Sequence, residues 1–277
     1  MRILNTEIRG ESVSGLGTCI WMPDFKLVFD MGVCPREAQR IRTVLITHGH
    51  VDHMAGIVRH AFTRNMMGMK PSRFIVPPHL VKPIHQMFAL WEPLQHGGFK
   101  CDVLPLAPGD EEMKLGKGLS VAAFPTDHTV PSQGYAIFRA KRKLKPEFAD
   151  LPGKEIGRLR QEEGVEVTDE VKTLEVVYTG DTRISTLDRI SGIRKARILI
   201  TEATFLTNEH TGEFAESRGH THLLQIGVRE HLLAQVEALV LTHFSDRYKQ
   251  KDIPEAMKGL DPDLADKTFA LADGLAP

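Results

Sequence analysis

One heptapeptide constrains this chain more than any other feature: Thr47-His48-Gly49-His50-Val51-Asp52-His53 follows directly on the apolar run Thr43-Val44-Leu45-Ile46. Three imidazoles and a carboxylate beside a buried strand carry a desolvation cost that metal coordination or a dense hydrogen-bond network must offset. Nitrogen and oxygen donors without thiolate suit Zn²⁺ and its first-row neighbours. His48 and His50 are two apart, so in an extended segment they point the same way. Asp52 and His53 fall where the next helix should begin. The spacing therefore predicts a strand-ending loop that can serve two adjacent ions, with hydrolysis as the natural chemistry.

The same grammar recurs along the chain. Leu27-Val28-Phe29 before Asp30, Arg73-Phe74-Ile75-Val76, and the apolar runs at 119–124, 174–178, 198–200 and 238–241 all read as buried strands. Helical spacing of apolar residues covers 52–65, 79–91 and 221–234. A chain of 277 residues built this way is expected to be one α/β domain spanning 1–277, a sandwich of two sheets flanked by helices. The least core-like stretch, 139–172, reads as an exposed insertion. Its run Arg139-Ala140-Lys141-Arg142-Lys143-Leu144-Lys145 is either a solvated face or a phosphate-steering patch.

Further ligands are expected beyond other strand ends, where α/β architectures gather their functional groups. Asp127-His128, Gly180-Asp181 and Thr242-His243 each follow a predicted strand. His128 would join His48 and His50 at one ion, while Asp52, His53 and His243 hold the other. Asp181 is the expected bridge, because a carboxylate can give one oxygen to each of two cations.

A formal net charge of -1 makes no global case for nucleic acid, so any basic surface must be local. Cys19, Cys34 and Cys101 are odd in number and form no CxxC pair, which points to reduced thiols. Cys34 is an alternative thiolate ligand. The start of the chain lacks a signal peptide's apolar core and no stretch is apolar enough to span a bilayer, so a cytoplasmic protein without membrane contact is expected.

HGHVDH, Asp127-His128-Thr129-Val130-Pro131-Ser132-Gln133-Gly134-Tyr135, Tyr178-Thr179-Gly180-Asp181-Thr182-Arg183, Glu202-Ala203-Thr204-Phe205 and Leu241-Thr242-His243-Phe244-Ser245-Asp246-Arg247-Tyr248 together resemble the metallo-β-lactamase superfamily. Within it they resemble the ribonuclease Z branch. The resemblance implies an αβ/βα sandwich of two mixed sheets and two divalent ions, zinc by default with Mn or Fe as alternatives. It further implies endonucleolytic removal of 3′ trailers from precursor tRNA by a homodimer. It places a proton-transferring histidine ahead of the last helix, where His220 aligns better than its neighbour His222; Asp52 is expected to orient the attacking hydroxide. Candidate substrate contacts are Arg139, Lys141, Arg142, Lys143 and Lys145, with Arg247 near phosphate. Two departures stand out: Gly15-Leu16-Gly17-Thr18-Cys19 keeps only part of the branch's opening signature, and the substrate-holding arm looks reduced. These favour an alternative, a hydrolase of a small molecule such as a cyclic nucleotide or other phosphodiester, a lactone or a thioester. A non-catalytic RNA-binding or scaffold protein is a third reading.

Overall fold

The computed structural model describes residues 1–277. Two seven-stranded mixed sheets face one another. In the first, Phe244–Ser245 lies parallel to Arg9–Ser14 at one edge, Arg9–Ser14, Gly17–Met22 and Leu27–Phe29 pair antiparallel, and the parallel strands Thr43–Leu45, Ser72–Val76 and Cys101–Pro105 continue from Leu27–Phe29. The second mirrors this plan. Met113–Gly116, Leu119–Thr126, Ser132–Leu144 and Thr168–Tyr178 pair antiparallel, then Ile198–Glu202, Ala238–Thr242 and Thr268–Ala270 add on in parallel. Parallel strands need crossovers and are covered on both faces, which is why these segments read as unbroken apolar runs.

Three apolar layers hold the stack. Ile20, Leu27, Phe29 and Leu45 from one sheet interleave with Val121, Ile137, Val176 and Ile200 from the other. Ile57, Ala61, Ile84 and Phe88 seal the outer face of the first sheet, and Leu187, Leu223, Ile226 and Leu233 that of the second. Every strand that precedes an expected ligand ends at the same lip of this sandwich, so the fold itself converges the site.

Two expectations need correction. The helical pattern of 52–65 is two helices, Val51–Met54 and Ile57–Met66, because the chain turns at Gly56 against the backbone of Met31 and Val33. The pattern of 221–234 is also broken: Leu223–Gly227 is a short helix and Glu230–Leu233 a 3₁₀ turn, with poor helix-forming Gly227 between them. The exposed segment 139–172 is built as an arm. Strands Ser132–Leu144 and Thr168–Tyr178 stay paired out to Leu144 opposite Thr168, and the tip carries the helix Gly153–Gln161. No helix is long and apolar enough to cross a membrane.

Candidate metal centre

The ligand-bearing loops come from both sheets. The strand Thr43–Leu45 delivers His48, His50, Asp52 and His53 from the first, while His128, Asp181 and His243 follow Leu119–Thr126, Thr168–Tyr178 and Ala238–Thr242 of the second. Two clusters form around Asp181. His50 Nδ1 lies 3.0 Å from His48 Nε2 and 3.2 Å from His128 Nε2, and both Nε2 atoms are 3.9 Å from Asp181 Oδ2. On the other side, His53 Nε2 and His243 Nε2 are 3.3 Å apart, with Asp52 Oδ2 at 3.8 and 3.6 Å. Asp181 reaches this pair through Oδ1 to His53 at 3.2 Å and Oδ2 to His243 at 3.3 Å.

Hydrogen bonds fix where each imidazole keeps its proton. Asp30, fully buried, accepts from Thr47 N (2.8 Å), Tyr178 Oη (2.8 Å) and His53 Nδ1 (2.8 Å), and Thr47 Oγ1 also donates to it. That occupies the Thr47 proton, so the hydroxyl accepts from His48 Nδ1 at 2.9 Å. Likewise Thr204 Oγ1 donates to Glu202 and accepts from His243 Nδ1 at 3.0 Å, and His128 Nδ1 donates to Gly219 O at 2.8 Å. Four histidines therefore turn proton-free Nε2 atoms inward, the arrangement that orients metal-ligating imidazole. Asp181 Oδ1 is buried without a hydrogen bond, 3.2 Å from His53 Nε2. Converging lone pairs and an orphaned carboxylate oxygen are what divalent cations satisfy, and the donor set fits them. Burial pushes His48, His50 and His128 below the ordinary imidazole range, which keeps them in the neutral ligating form.

Backbone strain marks the same residues. Asp30 and His243 adopt left-handed conformations at φ 55° and 60°, at roughly 1–3 kcal/mol each for non-glycine residues. Gly32 is required for a different reason: a Cβ there would lie 1.8 Å from Asp52 O. The turn that carries Asp52 and the loop behind Asp30 are thus in direct backbone contact.

Beside the clusters, His220 Nδ1 donates to Glu202 Oε1 at 2.9 Å, and its ring stacks on His243 with centroids 5.3 Å apart. Glu202 is fixed in turn by Thr182 N, Thr221 N and Thr204 Oγ1. Burial alone would lower His220, but the Glu202 carboxylate carries it up to about 9. His222 does something else: its Nδ1 caps the helix Leu223–Gly227 at Leu224 N, and its Nε2 donates to Thr207 O. Asp52 Oδ2, besides facing His53 and His243, accepts from Gly15 N at 2.8 Å.

The substrate candidates divide. Arg247 lies on the exposed rim, bonded to Ser245 and His210 and set 5.6 Å above the Phe205 ring, which itself neighbours His220. Lys141, Arg142, Lys143 and Lys145 ride the arm, away from the centre. Glu170 stands directly across the ladder from Arg142 and Asp169 across from Lys143. Between Arg139 and Lys172 there are nine basic and eight acidic side chains, so the arm has almost no net charge. Arg139 is packed over Phe25 at 4.7 Å and paired with Glu175 at 3.5 Å. Cys34 takes no part in the cluster and is half-buried near Gln39. Asp30 and Glu202 were visible in sequence, but their supporting roles depend on contacts across 17 to 148 residues.

A beta-lactamase superfamily domain model matches residues 23–244, and with the two-sheet architecture and the histidine–aspartate clusters this places the chain in that superfamily. The chain is 37% identical to tRNase Z TRZ1 of Arabidopsis thaliana over 276 residues, covering 99% of this chain and 98% of that protein. It is 35% identical to the chloroplastic tRNase Z TRZ2 of the same plant, across 96% and 75% of the two chains. The short form of human tRNase Z superposes with a TM-score of 0.57 at 18% identity, covering 88% and 93%, a likeness of fold. Within the superfamily, this chain belongs to the ribonuclease Z, or tRNase Z, family.

Proposed function

We propose that the protein is a metal-dependent endoribonuclease that removes 3′ trailers from precursor tRNA. The observation that carries the reading is the pairing of a two-cluster ligand set around Asp181 with an independently positioned Glu202–His220 pair. Two divalent ions, zinc by default, held by His48, His50, His128 and Asp181 on one side and Asp52, His53, His243 and Asp181 on the other, would supply an activated water and neutralise phosphoryl charge. The chain's own residues do the rest. Asp52, anchored by Gly15 N, orients the attacking water. His220, protonated at Nδ1 toward Glu202, offers its Nε2 side to the leaving oxygen. A general acid of this kind contributes about 10²- to 10⁴-fold.

The arm supports a polymeric substrate over a small molecule. Its 13-residue strand starts at the centre's lip with Ser132 and runs away from it, placing the tip about 40 Å off at the usual strand rise. No small phosphodiester spans that distance. On this reading the arm serves substrate held at a partner subunit's centre in a homodimer. The test is to incubate the metal-loaded protein with a precursor tRNA bearing a 3′ trailer and with bis-p-nitrophenyl phosphate, using Asp181→Ala as the blank. Cleavage at the acceptor end by the parent alone is expected; turnover of the aryl diester with intact RNA would sink the tRNA assignment.

A further inference from the structure

A wide cleft lies away from the metal centre. It has a volume of about 1110 Å³ and opens at the opposite pole of the sandwich, where the parallel strands begin rather than end. Both sheets contribute to its walls. Lys26 sits in the tight turn between Gly17–Met22 and Leu27–Phe29 of the first sheet, and Lys117 in the turn between Met113–Gly116 and Leu119–Thr126 of the second. Arg36 and Arg40 come from the loop ahead of Thr43–Leu45, and Arg73 from the start of Ser72–Val76. These five cations have no salt-bridge partner. By contrast, Arg9 is held by Glu7, Arg42 by Asp102 and Arg139 by Glu175. Arg73 Nε is, in addition, buried without a hydrogen-bond acceptor. Asp24, which accepts from Glu7 N, and Glu37 are the acids left to oppose them.

We infer that this cleft is a second, non-catalytic docking site for the phosphate backbone of RNA. The inference rests on the nuclease reading above, but its evidence is separate. Gathered cations that outnumber the free acids beside them repel one another, and an entering anion offsets that repulsion. A cleft of this volume, open to solvent and walled by six separate segments, matches a run of backbone phosphates better than a single one. Lys26 and Lys117 both lie in left-handed turns, at φ 56° and 53°, which fix their backbones in place. The cleft shares its pole with the root of the arm, marked by Arg139. Arm and cleft therefore form one continuous RNA-facing end, in which the cleft supplies the charge that the nearly neutral arm lacks.

The experiment is equilibrium binding of mature tRNA, which cannot be processed, by the full-length protein across a salt series. The variant carries Arg36→Ala, Arg40→Ala and Lys117→Ala, all at the surface, with melting temperature as the check on folding; Lys26→Glu is a second, single-site variant. Each lost phosphate contact reduces the slope of log K against log salt by about 0.7–0.9, so the triple variant should lose about two units of slope and at least tenfold in affinity at low salt. Turnover of bis-p-nitrophenyl phosphate should be unchanged. A folded variant whose affinity and slope match the parent overturns the proposal. So does tight binding of pyrophosphate or ATP lost in the variant while tRNA binding persists, which would assign the cleft to a small phosphate ligand. Failure of the nuclease reading is seen separately, as intact precursor tRNA with the parent protein.

Discussion

Replacing Asp30 by Asn changes one atom in a residue that touches no reacting group, yet the geometry requires it to affect the metals. One carboxylate oxygen accepts from Thr47 N, the other from Tyr178 Oη and His53 Nδ1, and Thr47 Oγ1 lies 3.0 Å from both. If the new amide nitrogen takes the first position, it confronts the Thr47 N–H, and a buried donor left unmet costs about 1–3 kcal/mol. If it takes the second, His53 Nδ1 must accept rather than donate. The proton then moves to His53 Nε2, and that nitrogen has no lone pair for a cation. Either orientation damages the centre from behind, and losses of about 10- to 100-fold in metal affinity are expected for such outer contacts. The chelated protein should also melt lower, by a few degrees for each kcal/mol, on the order of 2–4 °C. Competition against a fluorescent zinc chelator, with thermal melts of the chelated protein, reads both. Unchanged zinc affinity alongside a lowered melt would show that Asp30 only packs the loop and that the tautomer argument is wrong.

Three other predictions use different parts of the molecule. His220→Ala should lose about 10²- to 10⁴-fold in RNA cleavage with bound metal unchanged, whereas His222→Ala should lower stability by about 1 kcal/mol through its lost cap and spare turnover; equal activity losses would contradict the division of roles. Gly32→Ala should weaken metal binding, measured by the same competition, because the new methyl meets the backbone carbonyl of Asp52; wild-type affinity would mean that the loop relaxes freely. His60, bonded to Ser72 and Ile41 in the core, is pushed down to about 4 by burial. Its folded pKa lies below the unfolded value, so the unfolded chain gains the proton first as pH falls, and stability is lost from about pH 6.5 down to 4. At pH 5 the loss is about 2 kcal/mol. His60→Leu should therefore flatten the melting curve's pH dependence over that window, and an undiminished slope would rule out His60 as its source.

The metal ligands were legible in sequence because each lies within a few residues of an apolar run, and strand ends converge in this class of fold. His220 and His222 could not be separated by pattern alone; only the Glu202 contact of one and the capping bond of the other divide them. The strand pairing within the arm leaves no signature in the sequence because its outer pairs, such as Lys143 with Asp169, have no core to face and so carry no apolar alternation. The basic run drew attention because its charges are contiguous. The cleft escaped notice because Lys26, Arg36, Arg40, Arg73 and Lys117 are scattered over more than ninety positions and meet only after both sheets have formed.

The division of ligands between the sheets has a consequence for inheritance. His48, His50, Asp52 and His53 precede residue 106, and His128, Asp181 and His243 follow it, while Asp30 and Tyr178 bond across the same seam. A chimera joined near residue 106 from two relatives would receive four ligands from one parent and three from the other. Such hybrids should work only when the parents agree in how far apart they hold their sheets, so the two halves are bound to drift together rather than independently.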